Sequence, residues 1–408
     1  MNMQLPEGWK TVKVGEYVIS VKGKKPKRVS NIKTKECSIP YVNIKAFEKR
    51  IIDEYTDGVG CALCEDGDFL MVWDGSRSGY VGKAIKGALG STLVKLNFPN
   101  IENNYAYYFL QSKYIEINTR AKGVGIPHVD PSILWNYDLL IPPKPTQQAI
   151  VFKIEELFSE LDKGIENLHT AQQQLKTYRQ AVLKWAFEGK LTNENVKEGE
   201  LPKGWKNVSI VELAEKNKHA LKAGPFGSSL KKEFYVAKGY KVYGQEQVIK
   251  GDAFYGHYYV NEEKYLELGS CKIRPFDILI SLVGTVGKVL LLPENCQPGI
   301  INPRLIKISL DRDVYLPKFF KYYFESSFVK SFYGAETRGT TMDVLNLGII
   351  KTIPFPLCLI KEQNNIVQAI ESRLSVADKM EESITQSLQQ AEALRQSILK
   401  KAFEGRLV

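Results

Sequence analysis

The stretch RQAVLKWAFEGKL at Arg179–Leu191 returns at Arg395–Leu407 as RQSILKKAFEGRL, with nine identities in thirteen positions. A second pair of matching stretches precedes these in the same order: LPEGWKTV at Leu5–Val12 and LPKGWKNV at Leu201–Val208, with six identities in eight. The two pairs are separated by similar lengths of chain, and the second copy is slightly the longer. Ordered repeats at such similar separations indicate that the chain is an internal duplication.

Each copy combines a globular stretch, rich in Gly, aromatic and β-branched residues, with a long helical stretch. The first helical stretch has apolar residues on two seven-residue registers: Ile154, Leu161, Leu168, Leu175 and Val182, and Ile150, Leu157, Ala171, Tyr178 and Trp185. Gly164 interrupts the second register only, so the helix is expected to continue through it. The second copy keeps a looser seam: Ile366, Ile370, Ala377, Met380, Ile384, Ala391, Leu394 and Ile398. Stripes of this length predict a coiled coil, and two helices that merely pack on their own domains are the alternative.

These patterns predict an α+β fold with two pseudo-repeated globular domains joined by two long antiparallel helices that form a coiled coil. The predicted boundaries are residues 1–145, 146–191, 192–358 and 359–408. Pro145 precedes the first helix, and Gly189 and Gly405 stand where C-terminal caps belong. Antiparallel helices would hold the two modules at opposite ends, and a helix of about 40 residues is about 60 Å long at ~1.5 Å per residue.

Composition excludes several classes of protein. Hydrophobic residues make up 44% and charged residues 25% of the 408 residues, which is typical of globular domains. No apolar stretch is long enough for a membrane helix, and the six cysteines are few enough to predict a reduced, cytoplasmic location. Cys61 and Cys64 form a single CxxC without further ligands, so no metal site is expected.

The net charge of +10 lies entirely in the globular parts. Residues 146–191 carry six basic and six acidic side chains and residues 359–408 carry seven of each, whereas residues 1–145 and 192–358 each carry a net +5. Two equally basic modules joined by neutral helices favour a bivalent binder of a polyanion.

No catalytic constellation is recognisable. The GTVGK motif of the second copy lacks the spacing of a phosphate-binding loop, and the four histidines are scattered. Asp68 and Asp277 each precede an apolar strand without the residues that would complete a nuclease metal site, so both are interpreted as turn residues. The chain is expected to bind rather than to catalyse, with no cofactor of its own.

Basic, hydroxyl and aromatic residues cluster near turns at corresponding places in both copies, which favours nucleic-acid binding over solvated surface loops. The GYVGKA and GTVGKV motifs predict tight turns between strands with an exposed lysine, Lys83 or Lys288. The candidate DNA-binding residues of the first copy are Lys22, Lys24, Lys25, Lys27, Arg28, Ser76, Arg77, Tyr80, Lys83, Arg120 and Lys122. Those of the second copy are Lys222, Ser228, Ser229, Lys231, Lys232, Thr285, Lys288, Arg338 and Thr340.

The doubled LPxGWK starts, the doubled GxVGK turns and the doubled AFEGKL/AFEGRL ends resemble the specificity (S) subunits of type I restriction–modification enzymes, over essentially the whole chain. The resemblance implies that each module is a target recognition domain for one half of a bipartite site in double-stranded DNA. It also implies that the helices are conserved spacers that bind two modification (methyltransferase) subunits, and that restriction (translocase/nuclease) subunits join the complex. The catalytic chemistry would then belong to those partners.

The repeated helix ends carry exposed-looking Phe187 and Phe403 beside Glu188 and Glu404. These four residues are predicted to form two pseudo-equivalent docking sites, one for each modification subunit; simple capping of each helix on its own module is the alternative. A non-specific coiled-coil adaptor that binds nucleic acid by charge is the alternative function.

Overall fold

Two helices of 44 residues each, α6 (Lys144–Phe187) and α13 (Ile360–Phe403), are the longest elements of the computed structural model, which describes residues 8–123, 125–192, 196, 200–283, 285–336 and 345–408. The first helix continues through Gly164, as predicted. Gly189 and Gly405 follow the two helix ends with φ of 74° and 70°. Both therefore occupy the left-handed region in which glycine terminates a helix at no steric cost.

The chain divides into two compact units. Unit 1 comprises Met1–His169 and Thr385–Val408, and unit 2 comprises Thr170–Ile384. Each division falls inside a long helix, so both helices contribute one part to each unit. Unit 1 thus combines the first globular stretch with the start of α6 and the end of α13.

In unit 1 the remaining helices are short: α1 (Val14–Tyr17), α2 (Ile44–Lys49), α3 (Asn103–Ser112), α4 (Tyr114–Thr119) and α5 (Pro131–Leu134). Its strands are β1 (Lys10–Lys13), β2 (Ile19–Lys22), β3 (Val29–Ser30), β4 (Ile39–Val42), β5 (Tyr55–Thr56), β6 (Leu63–Cys64), β7 (Phe69–Val72), β8 (Val81–Lys83), β9 (Gly87–Leu89), β10 (Leu93–Asn97) and β11 (Asp138–Ile141). They form an antiparallel pair β1-β11, a four-stranded antiparallel sheet β2-β10-β7-β8, and a sheet β3-β5-β4-β9-β6 in which β4 and β9 are parallel.

Unit 2 repeats this plan. Its other helices are α7 (Ile210–Leu213), α8 (Gln245–Lys250), α9 (Glu262–Glu267), α10 (Pro317–Phe324), α11 (Ser327–Glu336) and α12 (Leu347–Thr352), with short 3₁₀ turns at Gly227–Ser229, Lys232–Phe234 and Gly269–Cys271. Its strands are β12 (Lys206–Val208), β13 (Leu221–Ala223), β14 (Tyr240–Tyr243), β15 (Tyr259–Val260), β16 (Ile278–Ser281), β17 (Val289–Leu291), β18 (Gly299–Ile301), β19 (Leu305–Ile308) and β20 (Phe355–Leu357). The antiparallel pair β12-β20, the sheet β13-β19-β16-β17 and the sheet β15-β14-β18 correspond to the sheets of unit 1.

A buried glutamine fastens the start of each long helix to its own module. Gln147 accepts a hydrogen bond from the backbone N–H of Glu102 (2.8 Å) and donates to the carbonyl of Pro142 (2.8 Å). Gln363, its counterpart in the second copy, accepts from the N–H of Leu316 (2.8 Å) and donates to two carbonyls. Both side chains are hydrogen-bonded through the amide oxygen and the amide nitrogen, which lowers the cost of burying them.

The helices run antiparallel within the units. In unit 2, Arg179 of α6 forms ion pairs with Asp378 (2.6 Å) and Glu381 (2.8 Å) of α13. Leu183, one turn further along α6, lies near Leu374, which comes earlier in α13. Residue numbers therefore rise along one helix as they fall along the other. In unit 1, Arg395 pairs with Asp162. Arg395 is the repeat counterpart of Arg179, and Asp378 is that of Asp162, so the ion pairs repeat the internal duplication.

The predicted seam is correct along one register of each helix and correct only in part along the other, in which Ile150 and Ile366 are buried as predicted. Leu175 and Val182 are buried, but Tyr178 and Trp185 are 38% and 47% exposed. Met380 and Leu394, expected on the seam of the second helix, are each 51% exposed. A straight α-helix drifts by about 20° per heptad relative to a strict seven-residue repeat. The buried face therefore moves to Leu183 and Ala186 in α6 and to Leu399 and Ala402 in α13, which pack into the cores of the globular parts.

Candidate nucleic-acid interface

Three of the predicted basic segments of the first copy meet on one surface of unit 1. The Nζ atom of Lys22 lies 3.0 Å from a carboxylate oxygen of Asp74, in the loop between β7 and β8. Asp74 pairs with His128 in an isolated β-bridge, and the N–H of the next residue donates to the carbonyl of Pro127 (2.7 Å). Residues 22–28, 74–80, 120–123 and 125–128 therefore form one basic surface, which we call basic surface 1.

Arg77 is the most firmly positioned cation of this surface. Its guanidinium lies 4.0 Å from the centroid of the Tyr80 ring and forms a 3.0 Å ion pair with Glu48, yet its side chain remains 45% exposed. Asn118 donates to the carbonyls of Ser76 (3.0 Å) and Ser78 (2.9 Å), which holds the loop in place. A planar guanidinium fixed in this way is preorganised for two parallel hydrogen bonds to a base edge or a phosphate.

The other predicted cations of basic surface 1 differ in their partners. Lys24, Lys25 and Lys27 are exposed and, within the described part of the chain, form no ion pair, so they are available for phosphates. Arg28 lies 3.8 Å from Glu36, and Arg120 pairs with Glu116 (3.2 Å). Lys122 pairs with the buried carboxylate of Asp130 (2.8 Å), and this hydrogen bond lowers the pKa of Asp130 to about 2.

The prediction that Lys83 lies exposed in a turn is wrong, because the two GxVGK motifs are not structurally equivalent. Val81 pairs with Met71 in unit 1, whereas Val289 pairs with Ile280 in unit 2. The turn N–H groups of Gly79 and Gly287 donate to the carbonyls of Val72 and Ser281. By this pairing Gly79, Tyr80 and Val81 correspond to Gly287, Lys288 and Val289, and Lys83 corresponds to Leu291.

Lys83 therefore lies inside strand β8 rather than in the turn. Its ammonium donates to Asn104 (2.6 Å) and lies 4.5 Å from the Tyr107 ring centroid, and burial lowers its pKa. Lys288 lies in the turn as predicted: it is exposed, and it contacts the carbonyl of Ile249 at 3.4 Å. The exposed turn residues are thus Ser76 and Arg77 in unit 1 and Thr285 and Lys288 in unit 2.

In unit 2 the turn lies beside two polar residues that the sequence analysis missed. Gln245 donates from its amide to Ser281 Oγ (3.0 Å) and to the carbonyl of Val283, and the exposed Arg304 donates to Gln245 Oε1 at 3.4 Å. Glutamine amides and arginine guanidinium groups are the side chains that read adenine and guanine edges. Arg304 stands in PRLIKI (Pro303–Ile308), which matches STLVKL (Ser91–Leu96) of the first copy, and this match could have identified it. Gln245 has no comparable signal in the sequence.

The remaining predicted residues of the second copy are dispersed around this centre. Ser228, Lys231 and Lys232 are exposed, and Lys222 and Ser229 are half-buried. Lys231 lies 3.6 Å from Glu233. We call the surface formed by Gln245, Thr285, Lys288 and Arg304 basic surface 2. Arg338 and Thr340 lie outside the residues that the structure describes.

The prediction that Phe187 and Phe403 are exposed is wrong. Phe187 packs on Phe319 and Tyr323, with ring centroids 5.1 and 5.0 Å away, and Phe403 packs on Tyr105 and Phe109 at 5.1 and 5.4 Å. Each ring enters the globular part encoded by the opposite half of the sequence, so it does not cap the helix on its own module. The periodicity of a helix in one copy of the repeat cannot predict that its last aromatic ring packs on residues of the other copy.

A groove adjoins each helix end. The unit 1 groove has a volume of about 650 Å³ and is lined by Thr11, Phe109, Ser112, Lys113, Asp138, Leu140, Gln396, Lys400, Phe403 and Glu404. The unit 2 groove, of about 560 Å³, is lined in part by Lys184, Phe187, Glu188, Leu201, Asn207, Ser327, Phe328, Pro354 and Pro356. Glu188 lies 2.9 Å from Lys190 and Glu404 lies 3.3 Å from Arg406, and both remain partly exposed.

Asp68, Asp277 and Cys64, which lie outside these surfaces, have structural partners. Asp68 and Asp277 accept hydrogen bonds from the backbone N–H of Glu65 (2.9 Å) and Arg274 (2.8 Å), as turn residues do. The thiol of Cys64 lies 3.4 Å from the carbonyl of Ile85, and burial raises its pKa to about 11. In the part of the chain that the structure describes, no group of His, Cys, Asp or Glu side chains is arranged to hold a metal ion, and no helix is long and apolar enough to cross a bilayer.

The fold agrees with comparisons to known proteins. The family model of the type I restriction modification DNA specificity domain matches the chain twice, over residues 6–175 and 202–390. The chain therefore belongs to this family and contains two DNA specificity domains. It is a DNA-recognition subunit of the restriction–modification class and not a catalytic one.

Individual relatives are distant but extend over most of the chain. The specificity subunit of the type I restriction enzyme MjaVIII from Methanocaldococcus jannaschii is 25% identical over 416 residues, which cover 99% of this chain and 94% of that protein. The EcoBI specificity subunit from Escherichia coli is 26% identical over 356 residues, covering 83% and 73%. Among solved structures, a chain of a type I R-M system matches with a TM-score of 0.73 at 19% identity, over 99% of this chain and 100% of that one. The HsdS subunit from Thermoanaerobacter tengcongensis matches with a TM-score of 0.53 at 19% identity, over 99% of both chains.

Proposed function

We propose that basic surface 1 and basic surface 2 each read one half of a bipartite target in double-stranded DNA. The observation that carries this proposal is the repeated turn anchored at Gly79 and Gly287, which exposes Arg77 in unit 1 and Lys288 in unit 2 beside a polar or aromatic neighbour. Arg77, Gln245 and Arg304 supply base-reading groups, and the lysines of residues 24–27 neutralise phosphates.

The test is exchange of one module. Residues 1–145 contain both strands of the β1-β11 pair, so replacing them with the corresponding module of another specificity subunit moves that pair as a whole. Mapping methylated adenines in a host that carries the chimera and its partners should show one altered half-site and one unchanged half-site. A change in both half-sites would contradict the assignment of one reader to each unit.

Salt dependence separates sequence-specific reading from the non-specific adaptor. Binding by charge alone loses about 10³–10⁵ in affinity between ~50 and ~200 mM salt when it uses about six to ten phosphate contacts. We expect the wild-type complex to retain its preference for the mapped target over unrelated DNA at ~200 mM salt. Equal competition by unrelated DNA would support the adaptor instead.

We further propose that the unit 1 and unit 2 grooves each dock one modification subunit, and that restriction subunits join the same complex. The partners would supply the S-adenosylmethionine and ATP chemistry, and the complex would act in the cytoplasm. Lys184, Phe187 and Glu188 line one groove, and their repeat counterparts Lys400, Phe403 and Glu404 line the other. This repetition supports two similar docking sites.

Glu188 and Glu404 allow this docking to be tested without disturbing the cores, since Phe187 and Phe403 are packed and their substitution would destabilise the units. The variant Glu188→Lys/Glu404→Lys should lower the number of bound modification subunits from two towards none in native mass spectrometry. Glu156→Lys, an exposed acidic position on α6 outside both grooves, is the control. Unchanged stoichiometry in the double variant would exclude these ends as docking sites.

A further inference from the structure

The loop between β13 and the buried Leu230 carries the most exposed large apolar side chain of the described residues. Phe226 is 88% exposed, and no other aromatic ring of the described chain contacts it. Exposure of a whole phenyl ring forgoes the free energy that burial would contribute. A single exposed ring needs no explanation by itself, but the placement of this one is specific.

The loop is anchored at both ends. The N–H of Gly224 donates to the carbonyl of Leu305 (2.9 Å), and a Cβ atom at Gly224 would collide with the carbonyl oxygen of Asn302. Leu230 is 5% exposed and packs in the core beneath the β14 sheet. Between these anchors, the carbonyl of Phe226 accepts a hydrogen bond from the N–H of Ser229 (2.8 Å). The ring is therefore presented on a short, held backbone.

The anchor joins this loop to basic surface 2. Asn302, which Gly224 approaches closely, also accepts a hydrogen bond from the N–H of Arg304 (2.9 Å), and Arg304 contacts Gln245. Exposed Lys231 and Lys232 follow the loop in the sequence. Phe226 thus lies in a loop that is joined at one end to the polar residues of basic surface 2 and is followed at the other end by two exposed cations.

The corresponding loop of unit 1 has the same anchor but different chemistry at its tip. The N–H of Gly23 donates to the carbonyl of Leu93 (2.9 Å), as that of Gly224 does to Leu305. The residues that follow Gly23 are Lys24 and Lys25, where unit 2 has Pro225 and Phe226. The two units therefore present a cationic tip and an apolar tip on equivalent supports.

We propose that Phe226 inserts its ring against a base step in the half-site read by unit 2 and unstacks that step. Apolar side chains inserted between base steps are the wedges by which proteins open DNA, and cations beside them hold the phosphates. This inference rests on the proposed DNA-reading function and adds a recognition mode that the corresponding Lys24–Lys25 loop of unit 1 lacks. Unit 1 contacts the backbone through its loop lysines, so its binding depends on salt, whereas the Phe226 contact does not.

The experiment uses the full chain with its modification partners and a duplex selected by the wild-type complex from a random library. 2-Aminopurine replaces in turn each adenine, on either strand, of the half-site that responds to exchange of residues 192–358. Wild-type protein should raise the 2-aminopurine fluorescence at one base step, the step that Phe226 unstacks. Phe226→Ala should abolish this signal and weaken binding roughly 5- to 150-fold, the equivalent of one lost stacking contact of about 1–3 kcal/mol. Phe226→Trp should restore both.

Two controls isolate the wedge. Leu266→Ala removes an apolar side chain of unit 2 that is 60% exposed and should leave signal and affinity unchanged. Lys24→Ala in unit 1 should reduce the slope of log affinity against log salt by about 1, while Phe226→Ala should leave that slope as it is.

Each other outcome overturns the inference. Wild-type binding with sequence preference but no fluorescence change, or equal affinity of Phe226→Ala, would refute the wedge and leave the proposed function intact. Fewer modification subunits on Phe226→Ala in native mass spectrometry would make the ring a protein contact. Wild-type binding without sequence preference would refute the proposed function and the wedge together.

Discussion

Replacing Phe403 with alanine should destabilise the globular part that lies at the other end of the sequence. The ring is half-buried and makes edge-to-face contacts with Tyr105 and Phe109, at centroid distances of 5.1 and 5.4 Å. Truncation of a buried Phe to Ala costs about 3–5 kcal/mol, and each aromatic pair contributes about 0.5–1.5 kcal/mol beyond area. Because part of the ring is already in solvent, we expect a loss of about 2–4 kcal/mol for unit 1.

Hydrogen exchange of the full-length chain measures this loss by region. A loss of about 2–4 kcal/mol corresponds to exchange roughly 30 to 900 times faster for amides that open with the core of unit 1, such as those of α3 and β10. Amides of α10 and β16 in unit 2 should keep their rates. Phe187→Ala should give the reverse pattern, because Phe187 packs on Phe319 and Tyr323 of unit 2.

Leu394→Ala is the matched control, since this residue lies on the same helix but is 51% exposed. It should change exchange in neither unit. Unchanged protection of unit 1 in Phe403→Ala, together with loss of bound modification subunits, would refute the packing argument and restore Phe403 as a docking residue.

Gln147→Ala and Gln363→Ala should each destabilise the unit that holds the helix start by about 1–3 kcal/mol for each backbone group left unpaired, measured by the same regional exchange; equal protection in variant and wild type would contradict this. Lys288→Ala should lower the salt slope of DNA binding by about 1, whereas Lys83→Ala should leave the slope unchanged and weaken the packing of β8 against α3; a reduced slope in Lys83→Ala would show that the strand register is wrong. Joining residue 408 to residue 1 through a short linker and opening the chain between residues 192 and 200 should give a folded protein, because Gly405 lies against Trp9 much as Gly189 lies against Pro202; an unfolded permutant by circular dichroism would count against it.

The fold could be predicted from the sequence because the same order of motifs occurs in both halves of the chain. The doubled helix ends, the heptad stripes and the glycine caps each indicate a long helix on independent grounds, and the equal charges of the two globular parts indicate two similar modules. What failed was the finer register along the helices. Tyr178 and Met380 lie on the seven-residue repeat, but an α-helix has about 3.6 residues per turn, and the globular cores bury the neighbouring positions instead.

The interface was predictable only by segment. Sequence alignment alone matches Lys83 with Lys288, because GYVGKA and GTVGKV share Gly, Val and Lys at the same spacing. Strand pairing shows instead that the loop of unit 1 is displaced along the sequence, so that Arg77 and Ser76 occupy the turn. A match of six residues cannot distinguish a turn from the strand that follows it, because Gly beside a β-branched residue occurs in turns and in strands.

The contacts of the helix ends explain why both copies are needed for either unit. Gln147 holds the start of α6 to the module that precedes it, and Phe403 of α13 completes the core of the same unit. In unit 2 the corresponding residues are Gln363 and Phe187. Because each core is completed by a helix from the other half of the sequence, a module can be exchanged only for one that packs the same helix end. The exposed turns at Arg77 and Lys288 carry no such constraint, and they differ between the copies while the AFEG ends match. The matching ends and the differing turns of this single sequence thus separate the groups that hold each unit together from the groups that we propose read DNA.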